Sequence, residues 1–434
     1  MTALHPHQLS PAVRVTGTIT AVHGSSITAR LPTGTVGDLC AIERRDGTSA
    51  FAQIAAFQGS LFSLALFEEP NGIFPGAPVR SQGRQLTIPV GDSLLGRILT
   101  PRGEPLDAKG PLKCREQRPL AAKPPPRSGR PPIDTIVVTG VRAIDGFCTL
   151  GKGQRIGIFA SAGLGKSTLL GAIARNASVD VIVVALVGER GREVQEFIDD
   201  TLGPAGLSRS VVVVATSDDS SLLRQTAPYT ATTIAEYFRE RGKDVLLIVD
   251  SLTRTARALR ETGIAAGELP VRHGYTNSVY TQLPKLLERA GRTQTGSITA
   301  LYTVLTNQEE DIDPLADEVR SLLDGHIYLR KEIADLGLRP AIDITSSMSR
   351  LFTRLNSAEY GAAARTVTHA MARFLKDRQI LALGGVADSD LQRILNNKAE
   401  LFGAIHQSDG SPTPLHDTDS YVRVLADRLT RITE

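Results

Sequence analysis

The sequence predicts an α/β protein whose central domain is built on a parallel β-sheet, with a small N-terminal β-barrel before it and a C-terminal helical domain after it. Three observations predict this arrangement. Short β-branched segments separated by glycine and proline fill residues 13–85, continuous apolar runs alternate with helical patterns from about residue 154, and helical spacing dominates from about residue 357. The predicted domains are residues 1–85, 86–355 and 356–434.

The first domain has the pattern of short strands joined by turns. Residues 13–22 alternate in polarity, a turn follows at 23–25, and residues 26–31 lead to a second turn at 32–34. Period-two alternation of β-branched residues is typical of strands, and regular turns between them indicate a small barrel or sandwich. We expect the barrel.

The second domain follows a proline-rich connection. Residues 119–132 contain six prolines, so this stretch is predicted to be extended. The Val- and Ile-rich runs beyond it are typical of strands that helices cover on both faces of a sheet. The predicted strands are 155–160, 180–187, 211–215 and 244–250, and the predicted helices are 166–176, 193–202, 231–241, 362–376, 388–402 and 421–431.

Composition argues against several classes of protein. Aromatic residues make up 5% of the chain, Trp is absent, and 49 Lys and Arg residues stand against 46 Asp and Glu, so we expect no nucleic-acid binding. The three cysteines are far apart, which excludes a disulfide framework. No apolar run approaches the roughly 18 residues that span a bilayer, and the first residues lack a signal-peptide pattern. We expect a cytoplasmic protein whose membrane contact is at most peripheral.

The strongest functional signal lies between the predicted strand 155–160 and the predicted helix 166–176. Residues 160–168 read ASAGLGKST, which fits a phosphate-binding loop with alanine in place of the usual first glycine. Glycines let backbone N–H groups turn towards phosphate oxygens, and the helix start adds its positive dipole end. Lys166 would lie beside the β- and γ-phosphates, and the Ser167 hydroxyl would ligate Mg²⁺. The residues expected to surround the polyphosphate are Ser161, Ala162, Gly163, Leu164, Gly165, Lys166, Ser167 and Thr168.

Two acidic residues lie at the ends of predicted strands. Asp250 ends the strand 244–250, where phosphate-loop proteins place an acid that orders Mg²⁺, although an acid there also fits a helix N-cap. Glu189 follows the strand 180–187 and could orient or deprotonate the water that attacks the γ-phosphorus. The pattern around Glu189 alone fits a solvated charged turn equally well.

Around these residues the sequence resembles a known family. The matching segments are TGVRAID at 139–145, GKGQRIGIFA at 151–160, GERGRE at 188–193, AEYFR at 235–239, DSLTR at 250–254, LLERAG at 286–291, GSITALYTV at 296–304 and ADEVRSLLDGH at 316–326. Together they resemble the export ATPases of type III secretion systems, injectisome or flagellar, which are similar to the catalytic β subunit of rotary F-type ATP synthases. Segments 37–42 (GDLCAI) and 72–76 (GIFPG) resemble the barrel of the same family.

The resemblance implies a RecA-like phosphate-loop NTPase core and assigns roles to four residues of the site. Lys166 and Ser167 match the family's phosphate and Mg²⁺ residues, and Asp250 matches its Mg²⁺-ordering aspartate. Glu189 matches the catalytic glutamate. The implied ligands are therefore ATP and Mg²⁺.

Three arginines also gain roles from the resemblance. Arg190 matches an arginine near the phosphates, and Arg350 matches the arginine finger that acts on the γ-phosphate of the neighbouring subunit. Arg339 stands where members of the family usually have a tyrosine beside the adenine. Each nucleotide site would thus lie between two subunits of a homohexamer, which the N-terminal barrel helps to assemble.

The implied function is Mg²⁺-dependent ATP hydrolysis that energises type III protein secretion by unfolding export substrates and releasing them from chaperones. The implied partners are a central stalk protein, a stator-like regulator, chaperone–substrate complexes and the membrane export gate, at the inner face of the cell membrane. Residues 273–280, expected to face the pore, lack the proline that usually follows Tyr275. The arm before residue 13 contains Pro6 and Pro11, so we expect no long regulator-binding helix there.

Three alternative functions stay open. A rotary ATP synthase subunit would copurify with a different, homologous partner. A hexameric RNA translocase would need a basic, aromatic N-terminal domain, whereas residues 13–85 contain phenylalanines but no strong basic cluster. A non-catalytic nucleotide-binding subunit would have no need of a water-activating acid such as Glu189.

Overall fold

The first domain of the computed structural model is a closed six-stranded barrel. The structure describes residues 16–24, 26–126, 128–306, 314–383, 385–408 and 411–431. The barrel strands are β1 Gly17–His23, β2 Ser26–Arg30, β3 Asp38–Glu43, β4 Ser49–Gln58, β5 Leu61–Leu66 and β6 Pro78–Gln85. They pair in the order β1-β2-β5-β4-β3-β6 and bury the apolar set of their alternating side chains, including Ile27, Ile42 and Leu64. The barrel prediction is confirmed, while residues 1–15, with the arm and the start of the predicted strand 13–22, lie outside the described residues.

A nine-stranded, mostly parallel sheet forms the centre of the second domain. The remaining strands are β7 Thr87–Val90, β8 Arg97–Leu99, β9 Glu116–Pro119, β10 Ile136–Val137, β11 Leu150–Gly151, β12 Arg155–Ala160, β13 Val181–Glu189, β14 Ser210–Thr216, β15 Asp244–Asp250, β16 Pro270–Arg272, β17 Tyr275–Thr276, β18 Gly291–Arg292, β19 Ser297–Leu305, β20 Gly325–Leu329 and β21 Met348–Ser349. The sheet order is β21-β20-β12-β19-β15-β13-β14-β8, with β18 paired to β19. Among the described strands of this sheet, only the two-residue pairings of β18 with β19 and of β21 with β20 are antiparallel.

The apolar strands are buried because helices cover both faces of the sheet. All nine residues of β13 are buried, and two separate apolar cores lie against the two faces. The predicted strands 155–160 and 244–250 match β12 and β15 at both ends, and the other two differ by one or two residues. The proline-rich connection has no regular structure after β9 among the described residues up to 132.

The described residues form fourteen α-helices in addition to these strands. They are α1 Arg142–Phe147, α2 Lys166–Asn176, α3 Gly191–Glu196, α4 Gly203–Ser208, α5 Ser221–Glu240, α6 Leu252–Ala265, α7 Asn277–Leu287, α8 Pro314–Leu322, α9 Lys331–Asp335, α10 Phe352–Leu355, α11 Ala358–Ala382, α12 Ser389–Asn396, α13 Lys398–Gly403 and α14 Leu415–Thr430. None of the described helices combines the length and apolar character that crossing a membrane requires.

Five helix predictions were wrong in their bounds, and two of them only in length: the predicted helices 362–376 and 421–431 are α11 Ala358–Ala382 and α14 Leu415–Thr430. The predicted helix 231–241 begins ten residues earlier, because the Ser220 side chain caps α5 by accepting a hydrogen bond from Leu223 N at 3.2 Å, and the helix continues through Pro228. The predicted helix 193–202 is α3 followed by a wider π-helical segment, Phe197–Leu202. The predicted helix 388–402 is broken between α12 and α13 at residue 397.

Candidate active site

The loop between β12 and α2 has the backbone of a phosphate cradle. Gly163 and Gly165 both have φ near 80°, a conformation that other residues adopt at a steric cost, although a Cβ atom at either position would meet nothing within 4 Å. Glycine is therefore needed here for the chain's path. Helix α2 begins at Lys166, so its unpaired N–H groups lie at the loop. Of the residues predicted to surround a polyphosphate, Leu164 is buried, Ser161 and Lys166 are half-buried, and Ala162, Gly163, Gly165, Ser167 and Thr168 are exposed.

The structure brings Lys166, Glu189 and Asp250 together at the carboxyl ends of β12, β13 and β15. Lys166 Nζ forms an ion pair with Asp250 Oδ1 and lies 3.4 Å from Glu189 Oε1. The Thr303 hydroxyl donates a hydrogen bond to Asp250 Oδ1 at 2.7 Å. Asp250 and Glu189 are 2% and 8% exposed. Glu189 is thus not a solvated turn residue, and this edge of the sheet is where parallel α/β proteins place their ligands.

The donor set beside the loop fits a magnesium ion bound together with a nucleotide. Mg²⁺ is usually held by one or two protein oxygens, waters and substrate phosphates. The Ser167 hydroxyl lies in the first turn of α2, and the Asp250 carboxylate ends the adjacent strand β15. These two predicted metal residues would provide such oxygens once the phosphates compete for Lys166.

Sequence reasoning assigned no role to Arg254, which the structure places in the site. Arg254 Nη1 lies 2.6 Å from Glu189 Oε2 and also donates to the carbonyl oxygen of Gly188. Gly188 has a φ of 69°, and a Cβ atom on it would lie 2.9 Å from Arg254 Cδ. Arg254 belongs to the DSLTR segment at 250–254. Because α6 starts directly after β15, its first turn lies at the same sheet edge as Asp250, and that position could have indicated Arg254.

We expect Arg254→Ala to lower kcat for ATP about 10- to 100-fold with little change in KM, because a catalytic carboxylate that loses its ion pair is no longer held in one orientation. Phosphate release at saturating ATP measures the effect, and Arg254→Lys should restore part of it. Arg257→Ala is the matched control, since Arg257 is exposed on the same helix. An unchanged kcat in folded, assembled Arg254→Ala protein would show that Glu189 needs no such support.

A pocket of about 220 Å³ lies beside the loop and extends to the C-terminal domain. Its lining residues are Gly140, Val141, Gly163, Leu164, Gly165, Thr168, Leu169, Ala172, Asn176, Arg339, Pro340, Gln407, Ser408 and Ser411. The predicted base-contacting residue Arg339 therefore does lie with the loop. The contribution of Gln407, Ser408 and Ser411 was missed, since nothing in the sequence joins them to the loop.

Buried hydrogen bonds hold the pocket wall at Gly140. The Asp145 carboxylate accepts hydrogen bonds from Thr139 N, Thr139 Oγ1 and Gly140 N, at 2.8 to 2.9 Å. Burial raises the pKa of Asp145 to about 6, against the lowering effect of these hydrogen bonds. Gly140 itself has a φ of 75°, and a Cβ atom there would lie 2.9 Å from Asn176 Cβ.

Two of the predicted arginines lie away from this network. The side chain of Arg190 is 82% exposed and lies 3.8 Å from Glu193. Arg350 follows β21, and its N–H donates to the carbonyl oxygen of Asp324 at the amino end of the parallel strands. Burial, and then the charges of Arg320 and Arg350, lower the pKa of the His326 imidazole.

Arg350 lies at the amino ends of the parallel strands, whereas the phosphate loop of the same chain lies at their carboxyl ends. Asp324 pairs with Arg155, the first residue of β12, whereas the loop follows Ala160, the last. At about 3.3 Å per residue the two ends of β12 are on the order of 16 Å apart, which is farther than an arginine side chain reaches. The structure therefore does not join Arg350 to Lys166, Glu189 or Asp250 of the same chain.

Comparisons with known proteins find relatives over nearly the whole chain. Residues 140–349 match the nucleotide-binding domain of the ATP synthase alpha/beta family. The chain is 44% identical to a flagellum-specific ATP synthase of Treponema pallidum, covering 96% of this chain and 94% of that protein. It is 46% identical to a type 3 secretion system ATPase of Pseudomonas savastanoi, covering 96% and 95%.

The fold is also that of a solved secretion ATPase. The assembled ATPase EscN of the enteropathogenic Escherichia coli type III secretion system superimposes with a TM-score of 0.89 at 42% identity, over 94% of this chain and 100% of that chain. EscN in complex with its central stalk EscO gives a TM-score of 0.87 with the same identity and coverage.

Proposed function

The chain belongs to the ATP synthase alpha/beta family, among the type 3 secretion system ATPases and flagellum-specific ATP synthases, and from this premise we propose that it hydrolyses Mg²⁺-ATP as a homohexamer that energises protein export. The main support for the proposal is that the predicted site residues of one chain lie at two separate places. Lys166, Glu189 and Asp250 meet at the carboxyl ends of the parallel strands, and Arg350 lies at their amino ends. Head-to-tail assembly into a ring would place Arg350 of one subunit at the phosphates held by the next.

Each residue has a distinct part in the proposed reaction. Lys166 and the N–H groups of the loop bind the β- and γ-phosphates, and Lys166 exchanges its contact with Asp250 for these oxygens. Ser167 and Asp250 would hold Mg²⁺, and the bound ion would neutralise phosphate charge. Glu189, oriented by Arg254, aligns the attacking water and accepts its proton. Arg350 of the adjacent subunit stabilises the charge that develops on the transferred phosphoryl group.

The proposed partners follow from the family and from one exposed apolar hairpin. Leu269 directly precedes β16 and is 81% exposed, and Val271 lies on β16 and is 60% exposed. A central stalk of the kind seen with EscN would cover them in the pore of the ring. We also propose, from the family alone, contacts with a stator-like regulator, with chaperone–substrate complexes that the ATPase unfolds and separates, and with the export gate. The protein would then work in the cytoplasm, peripherally at the inner face of the membrane.

Phosphate release at a series of protein concentrations tests the proposal. A site completed by a neighbouring subunit should be nearly silent in the monomer, so the turnover per chain should rise steeply as hexamers form. Light scattering on the same samples gives the assembly state, and Lys166→Ala supplies the background rate. A turnover per chain that does not change while assembly changes would contradict the shared site.

A further inference from the structure

The segment that carries Arg350 is held by a buried glutamine at the start of β12. Gln154 directly precedes β12 and is fully buried. Its side-chain Nε2 donates hydrogen bonds to Ser349 Oγ at 2.9 Å and to the carbonyl oxygen of Asp324 at 3.1 Å. The same carbonyl oxygen accepts the N–H of Arg350 at 2.9 Å. Both hydrogens of one amide group therefore point at the groups that fix the backbone of Arg350.

The Gln154 side chain is itself held in one orientation. Its Oε1 accepts a hydrogen bond from Gly151 N at 2.9 Å. Turning the amide over would place two donors, or two acceptors, against each other inside the protein, because Gly151 offers an N–H and Asp324 a carbonyl oxygen. The start of β12 is thus joined to the Arg350 segment by a fully hydrogen-bonded amide.

The Arg350 segment also lies in close backbone contact with β20. Gly325 pairs with Ser349 where β20 meets β21. A Cβ atom on Gly325 would lie 2.4 Å from the carbonyl oxygen of Met348 and 2.8 Å from Ile156 Cδ1. Glycine is needed here because only a residue without a side chain lets the two backbones approach so closely. The position of the segment is therefore set on two sides, by β20 and by Gln154.

Asp324 is anchored to β12 independently of the glutamine. Asp324 Oδ2 accepts hydrogen bonds from Arg155 N at 3.0 Å and from Arg155 Nε at 3.1 Å, and Asp324 N donates to the carbonyl oxygen of Arg155 at 2.8 Å. Loss of the Gln154 amide should therefore leave this part of the fold intact. Its main consequence would be a shift of residues 349–350.

We propose that Gln154 is a positioning residue for catalysis in the neighbouring subunit, because it fixes the place from which Arg350 reaches the γ-phosphate bound there. This inference rests on the proposed function, in which Arg350 acts across the subunit interface. Strand β12 then serves two sites, since its carboxyl end leads into the phosphate loop of one and its amino end holds the arginine of the next. Misplacing a catalytic group by about 1 Å can cost about 10²-fold in rate.

Gln154→Met tests the inference on the assembled full chain. Methionine is unbranched and of similar length but donates no hydrogen bond, so Arg350 keeps its backbone contact and loses its fixed position. We expect kcat for ATP to fall about 10-fold. KM and the Kd of a non-hydrolysable ATP analogue should stay unchanged, because the misplaced group acts in the transition state. Ser349→Ala, which removes one partner of the same amide, should lower kcat about 3-fold.

Thr299→Val is the matched control. The Thr299 hydroxyl accepts a hydrogen bond from Gly153 N at 2.9 Å, in the same turn before β12. Thr299 lies on β19, so the substitution perturbs this turn from another strand and not from the Arg350 segment. This variant should keep the normal kcat.

Mixed hexamers separate an effect on the neighbouring site from an effect on the subunit's own loop. Gln154→Met subunits are co-expressed in equal amounts with Glu189→Gln subunits or with the double variant Glu189→Gln/Gln154→Met. In the first mixture about half of the intact loops meet an arginine held by Gln154, and in the second mixture none does. Phosphate release in the first mixture should therefore be about 5-fold that in the second.

Equal phosphate release in the two mixtures would overturn the inference, because Gln154 would then act on its own phosphate loop. Weaker binding of the ATP analogue, or an unchanged kcat in folded and assembled Gln154→Met protein, would overturn it as well. If Gln154→Met fails to assemble, Ser349→Ala replaces it in both mixtures, with about a 2-fold difference expected. The proposed function stands in all these cases as long as the unaltered chain hydrolyses ATP, and a chain without ATP hydrolysis contradicts both proposals.

Discussion

Glu189→Gln should abolish steady-state phosphate release while Mg²⁺-ATP stays bound. Glutamine keeps the shape of the side chain, but it has one acceptor oxygen in place of two and cannot accept a proton from water, so kcat should fall about 10²- to 10⁴-fold. Glu189 is 8% exposed and lies between Lys166 and Arg254, which makes it the carboxylate best placed to act on a water at the γ-phosphate. Single-turnover phosphate release and calorimetric binding of an ATP analogue measure the two effects separately.

The control for this substitution is Glu193→Gln. Glu193 lies in the first turn of α3, four residues further along, and its exposed side chain pairs with Arg190. This variant should hydrolyse ATP at the normal rate. Near-normal kcat in Glu189→Gln would remove Glu189 as the catalytic base, and loss of nucleotide binding would give it a structural role instead.

Arg350→Ala should lower kcat about 10³- to 10⁵-fold, the usual effect of removing an arginine finger. The hexamer should still assemble, and each subunit should still bind ATP, because Arg350 lies at the opposite sheet edge from its own loop. The residue is exposed and its backbone N–H, which the substitution keeps, makes the contact with Asp324. Phosphate release, light scattering and analogue binding on one preparation give all three results.

Arg354→Ala provides a neighbouring control, since Arg354 is exposed at the end of α10. It should keep full activity. If Arg350→Ala protein is as active as the control, Arg350 does not complete the site of a neighbouring subunit. If it fails to assemble, Arg350→Lys, which keeps the charge but not the planar fork of donors, decides between a structural and a catalytic role.

Local sequence patterns predicted the strands that carry the site. Strands β12 and β15 match their predicted bounds because each is a continuous apolar run that ends at a small or acidic residue. The loop and the start of α2 were predictable for the same reason, as glycine positions and helix starts depend on local chemistry. Lys166, Glu189 and Asp250 could be expected to meet because parallel strands end at one edge.

Features that depend on contacts distant in sequence could not be predicted in this way. Helix α5 continues through Pro228, because burial of the surrounding residues outweighs the local preference against proline. The pocket wall is formed by Gln407 against Gly140, which are 267 residues apart. The ion pair of Arg254 with Glu189 requires the packing of α6 against the end of β13. Likewise, the distance of Arg350 from its own loop follows from the pairing of β21 with β20, which no local pattern reveals.

Co-assembly of the two inactive variants tests the shared site most directly. Glu189→Gln subunits keep Arg350, and Arg350→Ala subunits keep Glu189, so about a quarter of the interfaces in an equal mixture would contain both groups. We predict that phosphate release returns in hexamers co-expressed from the two variants. It should stay absent when Glu189→Gln is paired with the double variant Glu189→Gln/Arg350→Ala. Mixed hexamers that remain as inactive as either parent would contradict a site built from two subunits.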